Sequence, residues 1–165
     1  IVIMAKSRTH AMWRLLLHIP VPWVFILVYL IGVLLHMIYP IHWIEEEHTF
    51  VMELAGGILF ILAGILAGWC LWIFKKAHTT TIPGQRSKKL IIGGPYRFSR
   101  NPMYLSLTLA YLGEGLLLVQ AWPIFLLPFV VMYVHFIVIP LEESILTADF
   151  QDDYANYCQK IRRWL

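Results

Sequence analysis

Two adjacent carboxylates, Glu142 and Glu143, directly follow a long apolar stretch that ends at Pro140. Earlier in the chain, Gly93-Gly94-Pro95-Tyr96-Arg97-Phe98-Ser99-Arg100-Asn101-Pro102-Met103-Tyr104 joins a polar loop to another apolar stretch. Paired glycines let a backbone pass close to a ligand. Pro102 suits the first turn of a helix, and Asn101 suits its N-cap. A helix start flanked by Arg97 and Arg100 attracts anions. The same residues equally suit a basic anchor at a membrane interface, and the two glutamates also suit solvated positions at a helix start. If the two apolar stretches pair as a hairpin, Asn101–Tyr104 and Glu142–Glu143 converge. The pocket between them then offers anion-binding groups, carboxylates and the aromatic faces of Tyr96 and Tyr104. Such a pocket fits a zwitterionic, amino-acid-like ligand that carries a flat ring.

The elements that must hold this constellation are membrane helices. Of the 165 residues, 59% are hydrophobic and 14% charged, and the mean hydropathy is +0.69. A soluble domain of this length has too little interior to hide so much apolar surface. Four stretches are candidates to cross a bilayer: 21–39, 50–74, 102–119 and 122–139. Only Gln120 and Ala121 separate the last two, which predicts a tight helical hairpin with Pro123 in the first turn of its second helix. All 13 Lys and Arg fall on one side of such a four-span arrangement, whereas the opposite loop carries Glu45, Glu46 and Glu47. The positive-inside rule places the basic side, and with it both termini, in the cytoplasm. The first apolar stretch is too long for a cleavable signal peptide. The expected fold is therefore all-α: a polytopic bundle of about four transmembrane helices plus cytoplasmic C-terminal helices, one domain over 1–165, in the inner or plasma membrane.

Other features take plainer readings. Tyr154, Tyr157, Cys158 and Ile161 recur at helical spacing, with Asp152, Asp153, Asn156 and Lys160 between them, which predicts an amphipathic segment folding back on the bundle. Gly57, Gly64 and Gly68 form a small-residue stripe, read as internal helix packing in preference to a dimer contact. Glu114 lies near the outer end of its span, where a structural or interfacial role is expected, and His135 is expected as a satisfied core histidine. The seven histidines show no metal-ligand spacing, and Cys70 and Cys158 are read as free thiols, so no metal site is expected.

Taken in order, the motifs resemble a known superfamily. Gly94-Pro95-Tyr96-Arg97, Arg100-Asn101-Pro102-Met103-Tyr104, Glu142-Glu143 with Leu146, Phe150 with Tyr154 and Tyr157, and Arg163-Trp164 resemble the membrane-embedded methyltransferases. This superfamily includes isoprenylcysteine carboxyl methyltransferases and phospholipid N-methyltransferases. The resemblance covers about 78–164 and implies S-adenosylmethionine as cofactor, held within 86–104 and 140–164. By position it implies cofactor contacts from Leu90, Ile91, Gly94, Tyr96, Asn101, Pro102, Met103, Tyr104 and Glu142. It implies alignment of donor and acceptor by Arg100, Tyr104 and Glu143. It further implies a membrane lipid or lipid-like amphiphile as acceptor, and no nucleic acid.

Two departures bear on the acceptor. Isoprenylcysteine enzymes have histidine where this chain has Asn101, and a substrate-binding arginine where it has Val138. Asn101-Pro102-Met103-Tyr104 is closer to the phospholipid enzymes, although those use a different glycine-containing stretch upstream. The leading expectation is a methyltransferase acting on lipid. An isoprenylcysteine-type carboxyl methyltransferase, a non-catalytic cofactor-binding membrane protein and a nicotinamide-dependent reductase of related architecture are the alternatives.

Overall fold

The computed structural model describes residues 20–41, 46–77 and 89–165. The basic residues Lys6, Arg8 and Arg14, the acidic Glu45 and the loop segment 78–88 lie outside the described residues. Helices account for nearly everything described, with no strand among the described residues. In chain order they are α1 (Val21–Ile38), α2 (Glu46–Ala77), a 3-10 turn (Gly94–Arg97), α3 (Pro102–Leu117), α4 (Ala121–Tyr133) and α5 (Ile139–Lys160). A π-helical segment, Val134–Val138, fuses α4 to α5.

Three of these units are long and apolar enough to cross a membrane: α1, α2 and the fused α4–α5 rod. The fourth, α3, has 16 residues and so spans roughly 24 Å at 1.5 Å per residue. The expectation of about four membrane helices stands, with α3 the shortest. The C-terminal part differs from expectation, because no loop separates the last span from the segment after it. The helix runs on through the paired acids and bends only at Gln151, whose φ is 42° and ψ −114°. Its π turn has a local cause. Pro140 has no N–H to donate to the preceding turn, and the Ile139 N–H instead reaches back five residues to the Val134 carbonyl.

α3 is the centre of the bundle, with α2 on one side and α4 and α1 on the other. α1 presents Val21, Phe25, Tyr29 and Gly32 to the interior, and α4 with the π turn presents Leu127, Val130, Val134 and Val138. Tyr104 and Tyr111 of α3 lie between these two stripes. The Tyr29 and Tyr111 rings meet edge to face at 5.0 Å. Trp23, Leu30, Ile61, Ile65 and Phe129 face outward and are exposed, as expected of lipid-facing side chains. The α3–α4 hairpin is as tight as expected. Three residues, Leu118, Val119 and Gln120, lie between α3 and α4, and the Gln120 N–H donates to the Gly115 carbonyl at 2.9 Å. Val119 takes the left-handed conformation there, with φ 51°.

The close helix contact uses different glycines from the expected stripe. A Cβ on Gly56 would lie 2.6 Å from the Gly113 carbonyl and would overlap the Leu117 backbone. A Cβ on Gly113 would lie 2.7 Å from the Phe60 N. Gly64 and Gly68 have nothing within 4 Å, and Gly57 only the tip of Leu117. The buried face of α2 instead repeats every seventh residue, through Gly56, Ala63 and Cys70. Between lipid-facing helices, association rests on such close packing and not on hydrophobic exclusion. Gly56→Ala or Gly113→Ala should therefore lower stability by about 1–3 kcal/mol through overpacking. Gly64→Ala should be neutral or stabilising by up to about 1 kcal/mol, from helix propensity alone. Thermal unfolding in detergent, followed by tryptophan fluorescence, checks both; equal effects at Gly64 and Gly113 would contradict this packing.

Candidate functional site

The hairpin brings the start of α3 against the first turns of α5. Tyr104, one turn into α3, donates its hydroxyl to Glu142 Oε1 at 2.6 Å. This is the convergence that the spacing of the two motifs predicts. Tyr96 is buried in the 3-10 turn, edge to face with Phe74 of α2 at 5.7 Å. Its carbonyl accepts the Tyr157 hydroxyl at 2.6 Å. Gly94 is required here by its backbone. Its φ is +61°, and a Cβ would overlap Ile73 and lie 3.2 Å from Trp69 Nε1. The glycine thus packs the turn onto α2, whereas Gly93 has open space beside it.

The two adjacent acids have separate partners. Glu143 accepts from Arg163 through both oxygens, Nε to Oε1 at 3.0 Å and the terminal nitrogen to Oε2 at 2.5 Å. Arg100 adds a third contact to the same carboxylate at 3.1 Å. Its other contact is with the Cys158 sulfur at 2.6 Å. The Arg100 Nε stays buried with no hydrogen-bond partner. Glu142, by contrast, has no cationic partner among the described residues and bonds only to a neutral phenol. Burial pushes its carboxyl up to about 7. The Tyr104 hydrogen bond opposes that shift, and the Glu143 charge adds to it. Hydrogen bonding to Glu143 holds the Arg163 guanidinium even more firmly protonated than usual.

A web of contacts ties the chain's last residues to the start of α3. The Arg163 carbonyl accepts from Ser99 at 3.1 Å and from the Asn101 side-chain amide at 3.0 Å. The Arg100 N–H donates to the Arg162 carbonyl at 2.9 Å. Trp164 donates to His135 Nδ1 at 3.0 Å, and the two rings stack. His135 is thereby a satisfied histidine, as expected. Asn101 makes no side-chain cap, contrary to expectation; its amide nitrogen instead donates to the Arg163 carbonyl. Ser99, buried, instead accepts the Asn101 N–H at 3.1 Å. Ser99 and Cys158 were not legible as site neighbours, since neither type nor spacing marks a residue whose partner is a backbone carbonyl or a distant arginine.

The remaining predicted residues are placed as follows. Pro102 is fully buried at the first turn of α3. The Met103 carbonyl accepts from Ser106 at 2.7 Å. Arg97 is exposed. Leu90 lies on the wall of a cleft of about 570 Å³, together with Lys89, Phe150, Asp153, Asn156 and Tyr157; Ile91 is not on that wall. Val138, at the position an isoprenylcysteine enzyme would give to arginine, is buried in the apolar core. Among the described residues no cluster of His, Cys, Asp and Glu could hold a metal ion.

The state of Glu142 makes ligand-free stability depend on pH. Its folded pKa of about 7 lies above the ordinary 4.5. Its contribution is therefore present in full below about 4.5 and is lost as pH rises through 7, by about 3 kcal/mol at most. Glu142→Gln should remove this slope. Melting curves of both proteins in detergent from pH 4.5 to 8 test it, and parallel curves would contradict it.

The model of the family described as phospholipid methyltransferase matches residues 51–153. Neither the curated proteins nor the solved structures contain a match. The matched span runs from the first turns of α2 past the kink at Gln151. It includes Tyr96, Tyr104, Glu142 and Glu143, and stops short of Tyr157, Arg163 and Trp164. Over well more than half its length, the chain belongs to the phospholipid methyltransferase family of membrane proteins, methyltransferases that act on lipid.

Proposed function

We propose that the chain transfers a methyl group from S-adenosylmethionine to the headgroup of a membrane lipid, at the cytoplasmic face. The observation that carries this reading is the uncompensated Glu142 carboxylate, half-buried beside Tyr104 at the start of α3. A carboxylate kept from water without a countercharge is costly, and a ligand ammonium would relieve that cost. The cofactor supplies such an ammonium, a carboxylate and an already electrophilic sulfonium-bound methyl.

The chain's own residues then bind, orient and exclude water. Glu142 holds the ammonium, and Tyr104 holds Glu142. The ligand carboxylate would meet the open Arg100 Nε and the first amides of α3, which have no acceptor within the helix. The cleft beside Leu90, with Phe150 and Tyr157 on its walls and Asp153 and Asn156 as polar groups, suits a nucleoside. A methyl already activated on a sulfonium needs no protein nucleophile, so rate acceleration would come from alignment and desolvation.

The acceptor proposed is a lipid amine or hydroxyl and not a prenylcysteine carboxylate. Such a carboxylate would need a buried countercharge, and the position that would supply it is Val138 within the core. A neutral amine needs none once it has released its proton. The one-sided lysines and arginines support the orientation, with both termini and the 75–100 loop in the cytoplasm.

Incubating purified protein with a deuterated methyl donor, in vesicles of ethanolamine phospholipid and separately with a farnesylcysteine analogue, tests the acceptor by mass spectrometry. Label should enter the phospholipid; methyl ester on the farnesylcysteine analogue alone would overturn the reading. In calorimetry, Glu142→Gln should weaken S-adenosylmethionine binding by about 10–150-fold, the scale of one hydrogen bond to a charged group. Glu114→Gln, at the far end of α3, should leave it unchanged. Unaltered affinity in Glu142→Gln would remove this carboxylate from the site.

A further inference from the structure

Arg163 lies beyond the matched family span and touches neither Glu142 nor the cleft, yet it closes on both oxygens of Glu143. Its side chain and its carbonyl act at different places. The carbonyl is held by Ser99 and Asn101, and the neighbouring Arg162 carbonyl by the Arg100 N–H. Trp164 is held separately by His135. The tail therefore keeps four anchors that need no guanidinium, which leaves the guanidinium's fork on Glu143 to be explained on its own.

The sequence places two acids side by side, and among the described residues only Glu143 has cationic partners, whereas Glu142 has none. Left unpaired, Glu143 would compete for that cation and would repel the Glu142 charge one residue away. Arg100 alone reaches only one Glu143 oxygen, at 3.1 Å, and is shared with Cys158. A bidentate arginine fixes the carboxylate plane as well as its charge. We propose that Arg163 is a positioning residue for the cofactor site: by taking both oxygens of Glu143, it holds that carboxylate out of the ligand pocket and leaves Glu142 as the acid that receives the ligand ammonium.

This inference rests on the assignment of Glu142 under the proposed function. The charged and titratable groups around Glu142 are Tyr104 from α3, Tyr96 from the 3-10 turn and Glu143 from its own helix. Behind Glu143 stand Arg100 and Arg163. With Arg163 in place, the Glu143 charge that raises Glu142 sits beside a bidentate countercharge. Without it, Glu142 must ionise beside a half-compensated neighbour, and a ligand cation must bind at higher pH to find it charged.

The test is S-adenosylmethionine affinity of the full chain in detergent, measured by calorimetry from pH 5.5 to 8.5. The proteins are wild type, Arg163→Gln, Arg163→Lys, Glu143→Gln with Arg163→Gln, and Glu142→Gln. Arg163→Gln should move the acid limb of binding up by about one pH unit. Arg163→Lys, which keeps the charge and loses the fork, should move it part of the way. Adding Glu143→Gln to Arg163→Gln should bring the limb back to or below its wild-type position. A tail that serves only as a structural latch would instead lower affinity equally at every pH, with no rescue by Glu143→Gln, and that result would overturn the proposal. Flat behaviour across all variants, Glu142→Gln included, would overturn the assignment of Glu142 and the proposal with it. Melting temperatures taken alongside show whether the tail stays docked. If Arg163→Gln unfolds, the shift in Arg163→Lys, present or absent, decides.

Discussion

The Tyr104–Glu142 hydrogen bond joins the two halves of the site, and the geometry of the chain follows from placing it. It links the first full turn of α3 to the first turn of α5, across a hairpin whose linker is only Leu118, Val119 and Gln120. With so short a connection, the two helices have little freedom to slide, and the start of one must face the end of the other. The π turn then sets which residues of the rod point inward. Val134 and Val138 go to the core, His135 meets Trp164, and Glu142 meets Tyr104. A carboxylate in this position has lost much of its water and has gained only a phenol in exchange. That imbalance is affordable in a marginally stable fold if a cation arrives to correct it, and it supports reading Glu142 as a ligand group and Glu143 as part of the frame.

Backbone contact fixes the other side. Gly56 and Gly113 let α2 and α3 approach until main chain meets main chain, and Gly94 lets the 3-10 turn sit against Trp69 and Ile73. Together they bring Phe74 of α2 to Tyr96 and so align the turn with the start of α3. The tail closes the arrangement from below. Ser99, Asn101 and Arg100 give their donors to the carbonyls of Arg162 and Arg163, so the segment between the 3-10 turn and α3 is held on both sides. The site is therefore built on rigid elements, as alignment-based catalysis requires.

Much of this was legible in the sequence because it follows from composition and topology. Apolar length and one-sided lysines indicate a helical membrane bundle, and two spans separated by Gln120 and Ala121 must bring Tyr104 near Glu142. What was not legible depends on three-dimensional partners. Nothing in the spacing of Gly57, Gly64 and Gly68 shows that Gly56 is the contact residue, because which face of α2 is buried depends on where α3 lies. Asn101 has the type of an N-cap, yet a carbonyl more than sixty residues later takes its amide. Arg100 looked free for an anionic ligand, and one of its terminal nitrogens is in fact taken by Glu143 and Cys158. The continuous rod from α4 into α5 was hidden by Pro140 and the charges after it, which read as a boundary; the π turn absorbs the proline without breaking the helix.

The central claim is that Glu142 is a carboxylate waiting for a cation. NMR of protein with carboxyl-labelled glutamate, in detergent and across pH 4 to 9, observes it directly. The account predicts one glutamate resonance that titrates at about 7 in the ligand-free protein, is missing from Glu142→Gln, and moves to clearly lower pH when S-adenosylmethionine is saturating. A Glu142 signal that titrates in the ordinary carboxylate range, or one that stays at its ligand-free position with the cofactor saturating, would contradict it.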